Sequence, residues 1–181
     1  MFTSEIHVKP YVKHFLIYHC GHPVNLDVFN NLKNDFLILL SRQSKRYNSS
    51  YQKKKNNERS ESDKLSKIEI IIKSDHFYRY GWSLSLTDEI VFAKTLELYV
   101  KDWMRKEVML NYAFSGNMKN SINDFIDKYG FNNCWTYETI KKDLQRNVET
   151  KSFDDVRLNF TNSLKSLIKS NLNINKINLC Q

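Results

Sequence analysis

Along most of this chain apolar residues recur at helical spacing, and only one short stretch alternates them at the spacing of a strand. "YVKHFLIYH", residues 11–19, predicts a first helix, with Gly21 as its cap and Pro23 as a stop. A second helix is expected from Asn25 or Asp27 to about Ser41, turning Val28, Leu32, Phe36, Leu39 and Leu40 inward. The longest pattern starts after Ser85 or Thr87, with Asp88 and Glu89 beside the positive helix end. Its stripe is Ile90, Ala93, Leu96, Val100, Trp103, Met104 and Val108, and it runs to about Phe114.

Two shorter helices follow. One spans about 121–129, with Ile122, Phe125, Ile126 and Tyr129 on one face, and stops at Gly130; the next spans about 136–147, with Tyr137, Ile140, Leu144 and Val148 on one face. A last amphipathic helix opens on the Ser152 and Asp155 capping pair and carries Phe153, Val156, Phe160, Leu164, Leu167 and Ile168. The alternating stretch is "KIEIIIK", residues 67–73, a β-branched strand. "GWSLSL", residues 81–86, is its expected hairpin partner across the aromatic-rich turn "SDHFYRY".

The fold class is therefore α+β, mainly α-helical: five to six helices, one small β-hairpin and a carboxy-terminal helix-turn-helix-like unit. Four segments are expected within one globular domain. They are an amino-terminal helical pair (1–41), a basic mobile loop (42–66), the strand, long helix and helix-turn-helix-like unit (67–148), and a terminal helix with its tail (149–181).

Charge adds a partner class. The net charge is +8, and residues 42–67 hold nine Lys or Arg against three acids, so most of the surplus lies in one segment. Such a segment attracts polyanions at a distance. Arg42, Lys45, Arg46, Lys53, Lys54, Lys55 and Arg59 could neutralise phosphates, with Tyr47 and Tyr51 available to stack on unpaired bases. A solvated linker would show the same composition. The three cysteines are odd in number and widely spaced, which suits a reducing cytosol better than a disulfide framework. No signal peptide is expected at the amino terminus, and no apolar run is long enough for a membrane span.

The segment "NMKNSINDFIDKYGFNNCWTYETIKKDLQRN", residues 117–147, carries the main functional expectation. Residues 121–129 would brace the second helix, Gly130 would take the left-handed conformation, and Phe131 with Trp135 would fill the angle between them. The second helix then exposes Thr139, Lys141, Lys142, Gln145 and Arg146. Arg and Lys suit guanine or phosphate, Gln suits adenine, and Thr139 suits a thymine methyl or a phosphate. Against this, "GFNNCW" is longer than the turn of the compact motif, and any surface helix of a basic protein exposes lysines.

No catalytic pattern is expected. The four glycines are isolated, so no phosphate-cradling loop forms, and no cysteine has a nucleophile signature. His14, His19, Cys20 and His22 hold metal-ligating atoms, but "HCGH" lacks the paired-knuckle spacing of zinc sites. Asp154 and Asp155 fall on different helix faces and support a helix terminus. No cofactor and no metal are implied.

Taken together, "HVKPYVKHFL", "GHPVNL", "FYRYGWSLSLTDEIVFAKTLE" and "YGFNNCWTYETIKKDLQRN" resemble a family of small uncharacterised proteins from Bacteroides-type phages and mobile elements. The resemblance covers about residues 6–147. It implies a helix-turn-helix module like those of replication-initiation and transposition proteins, with Lys141, Lys142, Gln145 and Arg146 at the DNA, and it transfers no catalytic residue. The resulting expectation is a non-enzymatic DNA-binding protein of the host cytoplasm, without a membrane association. The alternative is a phage assembly or virion-associated protein that works through protein–protein contacts, as a homo-oligomer or with a phage protein partner.

Overall fold

The computed structural model describes residues 2–44, 65–148 and Asn162. The expected terminal helix and most of the basic segment (Lys45, Arg46, Lys53, Lys54, Lys55 and Arg59) lie outside the described residues. The elements are β1 (Phe2–Val8), α1 (Pro10–Cys20), a 3-10 turn (Leu26–Val28), α2 (Asn30–Ser44), β2 (Ser66–Ile72), α3 (Ser74–Tyr80), α4 (Leu86–Ser115), α5 (Met118–Tyr129) and α6 (Tyr137–Asn147). The fold is α+β and mainly α-helical. It divides into two compact units, Met1–Asp102 and Trp103–Gln181, with the boundary inside α4.

In the first unit β2 is a strand, but its partner is not residues 81–86. It pairs antiparallel with β1, from Phe2 opposite Ile72 to Val8 opposite Ser66. β1 buries Ser4, Ile6 and Val8, and β2 buries Ile68, Ile70 and Ile72. The polar Ser4 interrupts the apolar alternation of β1, so the strand carries no clear period-two signature. Glu5 stands opposite Glu69, a like-charge pairing that the ammonium of Lys67 relieves by bridging to Glu5. The other edge of β2 meets Val24, whose amide donates to Glu69 O at 2.7 Å and whose carbonyl accepts from Ile71 N at 2.9 Å. Both edges of β2 thus find partners, as buried backbone polar groups require.

The stretch expected as an aromatic turn is α3. Its residues are not buried; the helix is attached by Phe77, whose ring stacks on Phe2 at 3.5 Å. Gly81 ends it at φ 85°, with its amide on Phe77 O, and "GWSLSL" continues as irregular chain into α4. Ser85 starts α4 as expected: its Oγ accepts from Asp88 N at 3.1 Å and donates to Asp88 Oδ2 at 2.7 Å.

α1 begins on Pro10, whose missing N–H costs nothing in a first turn. Its Tyr11, Val12, Phe15 and Leu16 join Leu32, Phe36 and Leu40 of α2 in the core. α2 starts later than expected. Asn25 instead caps the 3-10 turn by accepting from Asp27 N, which leaves Val28 exposed and buries Phe29. The inward stripe of α4 keeps the expected Leu96 and Val100 but begins on Phe92 in place of Ile90. Phe92, Leu96 and Val100 are buried here, with the Phe92 ring 5.2 Å from Phe36, while Ile90 is exposed.

Two carboxylates tie β1 and the start of α1 to α4. Glu89 accepts from the His7 amide at 2.9 Å and lies 2.8 Å from its Nδ1. Glu97 is buried and accepts from Lys9 Nζ at 3.0 Å and Lys101 Nζ at 2.7 Å. Burial alone would raise the Glu97 carboxyl, but the hydrogen bonds from Lys101 and Lys9 outweigh it and hold it down to about 2.

Two outcomes follow for this unit. The Ser4 Oγ is buried and has no hydrogen-bond partner among the described residues. Ser4→Ala is therefore expected to raise unfolding stability by about 1 kcal/mol, read as a higher urea midpoint at unchanged slope, whereas a lower midpoint would contradict the unsatisfied hydroxyl. The Glu97 carboxyl is lowered on folding, so its stabilisation is complete above its ordinary value of 4.5 and fades as pH falls toward about 2. Acid unfolding of Glu97→Gln should show a shallower loss over that window than the parent protein.

Candidate nucleic-acid interface

The second unit is organised around α5, α6 and the end of α4. Asn117 caps α5 by accepting from Asn120 N at 3.2 Å. Ile122, Phe125, Ile126 and Tyr129 are buried along one face, at the i, i+3, i+4 and i+7 spacing read from the sequence. The helix ends as expected at Gly130, with φ 66° and ψ 37°. The Gly130 amide donates to Asp127 O at 3.3 Å and the Phe131 amide to Ile126 O at 2.9 Å. This pair of bonds is a Schellman cap, and its usual apolar contact is present as Phe131 packing 5.6 Å from Phe125.

The connection to α6 is rigidified by aromatic packing. Phe131 and Trp135 are buried, their rings 5.6 Å apart, and Trp135 lies edge-on to Phe125 at 6.2 Å. Cys134 N and Trp135 N both donate to Phe131 O, closing a turn before Thr136, which is extended and starts α6. The longer "GFNNCW" connection is thus spent on seating two large rings, each burying about 150–250 Å² in typical interiors.

α6 buries only Ile140 and Leu144. Thr139, Lys142, Gln145 and Arg146 are exposed, and Lys141 is half-buried with its ammonium 5.7 Å from the centre of the Tyr137 ring. Four of the five residues expected from the sequence therefore share the solvent side of one helix, and Lys141 lies on its flank. Thr139 Oγ1 lies 3.0 Å from Thr136 Oγ1 at the exposed start of α6. Of the basic segment, Arg42 is exposed near the end of α2, in the first unit.

What holds α6 was not visible in the sequence. Arg105 of α4 grips Asp143 with two bonds, Nε to Oδ2 at 2.7 Å and Nη2 to Oδ1 at 3.1 Å. Both side chains are largely buried. A forked guanidinium on a carboxylate fixes orientation as well as distance. Asp143 is thereby neutralised, and the outward charge of α6 is Lys141, Lys142 and Arg146 against Glu138 alone.

A second network fixes α5. Glu107 of α4 accepts from Trp103 Nε1 at 2.8 Å, Tyr129 Oη at 2.7 Å and Lys128 Nζ. Burial pushes the Glu107 carboxyl up, yet the bonds from Lys128, Tyr129 and Trp103 outweigh it and hold it below its ordinary range. Burial and the bond to Glu107 push the Tyr129 hydroxyl up to about 12. Lys128, which adds to the charge of the quoted segment on paper, is committed to this network.

Elsewhere, His19 packs its ring against Phe15 and Phe29 in the first unit. Among the described residues no group of three or more His, Cys, Asp or Glu side chains could hold a metal ion. No described helix is long and apolar enough to cross a membrane.

Replacing Gly130 by Ala is expected to cost about 1 kcal/mol, because a left-handed backbone strains any residue with a Cβ. Breaking the fork by Asp143→Asn or Arg105→Ala should cost about 1–2 kcal/mol each. A double-mutant cycle on denaturant unfolding would check the coupling, and full additivity would contradict a direct bond. The chain matches no protein-family model, no curated protein and no solved structure.

Proposed function

We propose that this is a non-enzymatic DNA-binding protein of a phage or mobile element that uses α5 and α6 as a helix-turn-helix-like unit, with α6 as the element that meets DNA. One observation carries this reading: α6 leaves Thr139, Lys142, Gln145 and Arg146 in solvent on the side opposite Ile140 and Leu144, while the Arg105 fork removes Asp143 from that surface. A helix whose buried side is pinned can present a fixed pattern of donors to a groove. In this proposal Lys141, Lys142 and Arg146 bind phosphate, and Gln145 and Thr139 face base edges. The basic residues 42–59 add salt-sensitive attraction.

A second reading has its own support. Trp82, Leu86, Ile90, Val91 and Leu98 are large apolar side chains exposed in the first unit. Exposed apolar side chains on α4 and just before it favour a protein partner, as in a virion-associated or assembly role.

A gel shift with random-sequence duplex at low and moderate salt tests the first reading. The parent protein should bind. Lys141→Ala/Lys142→Ala/Arg146→Ala should weaken binding at least about tenfold and lower the salt slope by up to about 3, roughly one per lost phosphate contact. Absence of duplex binding at low salt would overturn the proposal. The second reading would then be tested by light-scattering mass measurement, in which a monomer at micromolar concentration speaks against obligate self-assembly.

A further inference from the structure

The carboxylate of Glu97 has more cations around it than it needs. Lys9 and Lys101 both reach its Oε1, at 3.0 and 2.7 Å, so their ammonium groups lie within about 6 Å of each other. Lys94 Nζ stands 3.8 Å from Oε2. One ammonium neutralises one carboxylate, and a second completes its hydrogen bonding. The third leaves Lys9, Lys94, Lys101 and Glu97 with a joint charge of +2. Glu97 is 8% exposed at the side chain, while Lys9 and Lys94 are 48% and 62% exposed, so the acid is inside and the excess positive charge faces water.

Two further acids stand on α4 near this cluster. Glu89, two turns earlier on α4, is engaged by the His7 amide and ring. Lys13 stands one turn beyond Lys9 on α1 and adds to the positive field. Asp102 follows Lys101 and is exposed on α4.

We infer that Lys9, Lys94 and Lys101, gathered by the buried Glu97, form a binding site for a phosphate oxyanion. Like charges held this close repel, and an anion placed over them relieves that repulsion. Each ammonium has three protons; Lys9 and Lys101 each spend one on Glu97 and Lys94, at 3.8 Å, spends none on it, leaving donors for another acceptor. A tetrahedral oxyanion can offer separate oxygens to three donors, and its double charge matches the surplus. A free phosphate supplies this chemistry at one phosphorus; a nucleic-acid backbone supplies one charge and two free oxygens at each phosphate, so two neighbouring phosphates would share the three donors. The site belongs to the first unit and does not rest on the role given to α6.

The test is a titration of the full-length, isotopically labelled chain with sodium phosphate, followed by amide resonances. Sodium chloride and sodium acetate at equal ionic strength serve as references. Saturable shifts are expected at residue 9 and across 94–101 with phosphate only. Lys94→Gln, which removes the most exposed and most distant ammonium, should weaken the apparent affinity several-fold at an unchanged thermal midpoint. Lys9→Gln/Lys94→Gln should weaken it at least about tenfold. Equal shifts with chloride or acetate would overturn the inference, as would unaltered phosphate affinity in Lys94→Gln. Oligothymidylate then separates the sources: the same amides moving at lower concentration identify a nucleic-acid backbone, and movement with inorganic phosphate alone identifies a small anion. Since Lys141, Lys142 and Arg146 stay intact in both variants, a failure here is distinguishable from a failure of α6 to bind duplex.

Discussion

Each unit of this protein depends on a carboxylate of α4 that is taken largely out of water and cannot be left unpaired. Glu97 in the first unit and Glu107 in the second solve the same problem with different partners. An isolated buried carboxylate would take up a proton or unfold its surroundings. Lys9 and Lys101 keep Glu97 charged, while Lys128, Tyr129 and Trp103 do so for Glu107. The apolar cores supply most of the driving force. The charged bonds fix which residue of β1, α1 or α5 stands beside which turn of α4, because hydrogen bonds are directional and apolar contact is not.

The same economy shapes the face offered by α6. Its two buried residues, Ile140 and Leu144, could by themselves pack over a range of rotations about the helix axis. The Arg105–Asp143 fork removes that freedom. It also withdraws a negative charge from a helix whose exposed side is basic. Position and electrostatics are thus set by one pair, and a surface helix of eleven residues acquires a defined orientation within its unit.

How far the sequence reveals such arrangements depends on the range of the interaction. The α5 stop at Gly130 was legible because the left-handed backbone of a Schellman cap nearly demands glycine. The exposed set on α6 was legible because 3.6-residue periodicity alone separates Ile140 and Leu144 from Lys142, Gln145 and Arg146. Strand β1 was not, because Ser4 occupies an inward position and its partner lies beyond residues 9–65. The mistaken pairing of β2 with residues 81–86 has the same origin: alternation identifies a strand but says nothing of which edge it joins. Nor could spacing show that "SDHFYRY" coils into α3 against Phe2, since that stacking is a contact between opposite ends of the unit's sequence.

The sequence by itself determined the helical class, the starts and stops of α1, α4, α5 and α6 to within a few residues, and the basic side of α6. These follow from local sterics, capping and periodicity, which act over a few residues and leave signatures in residue type. Only the tertiary structure decided that Phe92 rather than Ile90 begins the inward stripe of α4, the pairing of β1 with β2, the Arg105–Asp143 fork and the gathering of three lysines on Glu97. Each joins residues distant in the chain or chooses among chemically equivalent partners, and charge and polarity are the same letters in the sequence whether a side chain is committed to a buried acid or left in solvent.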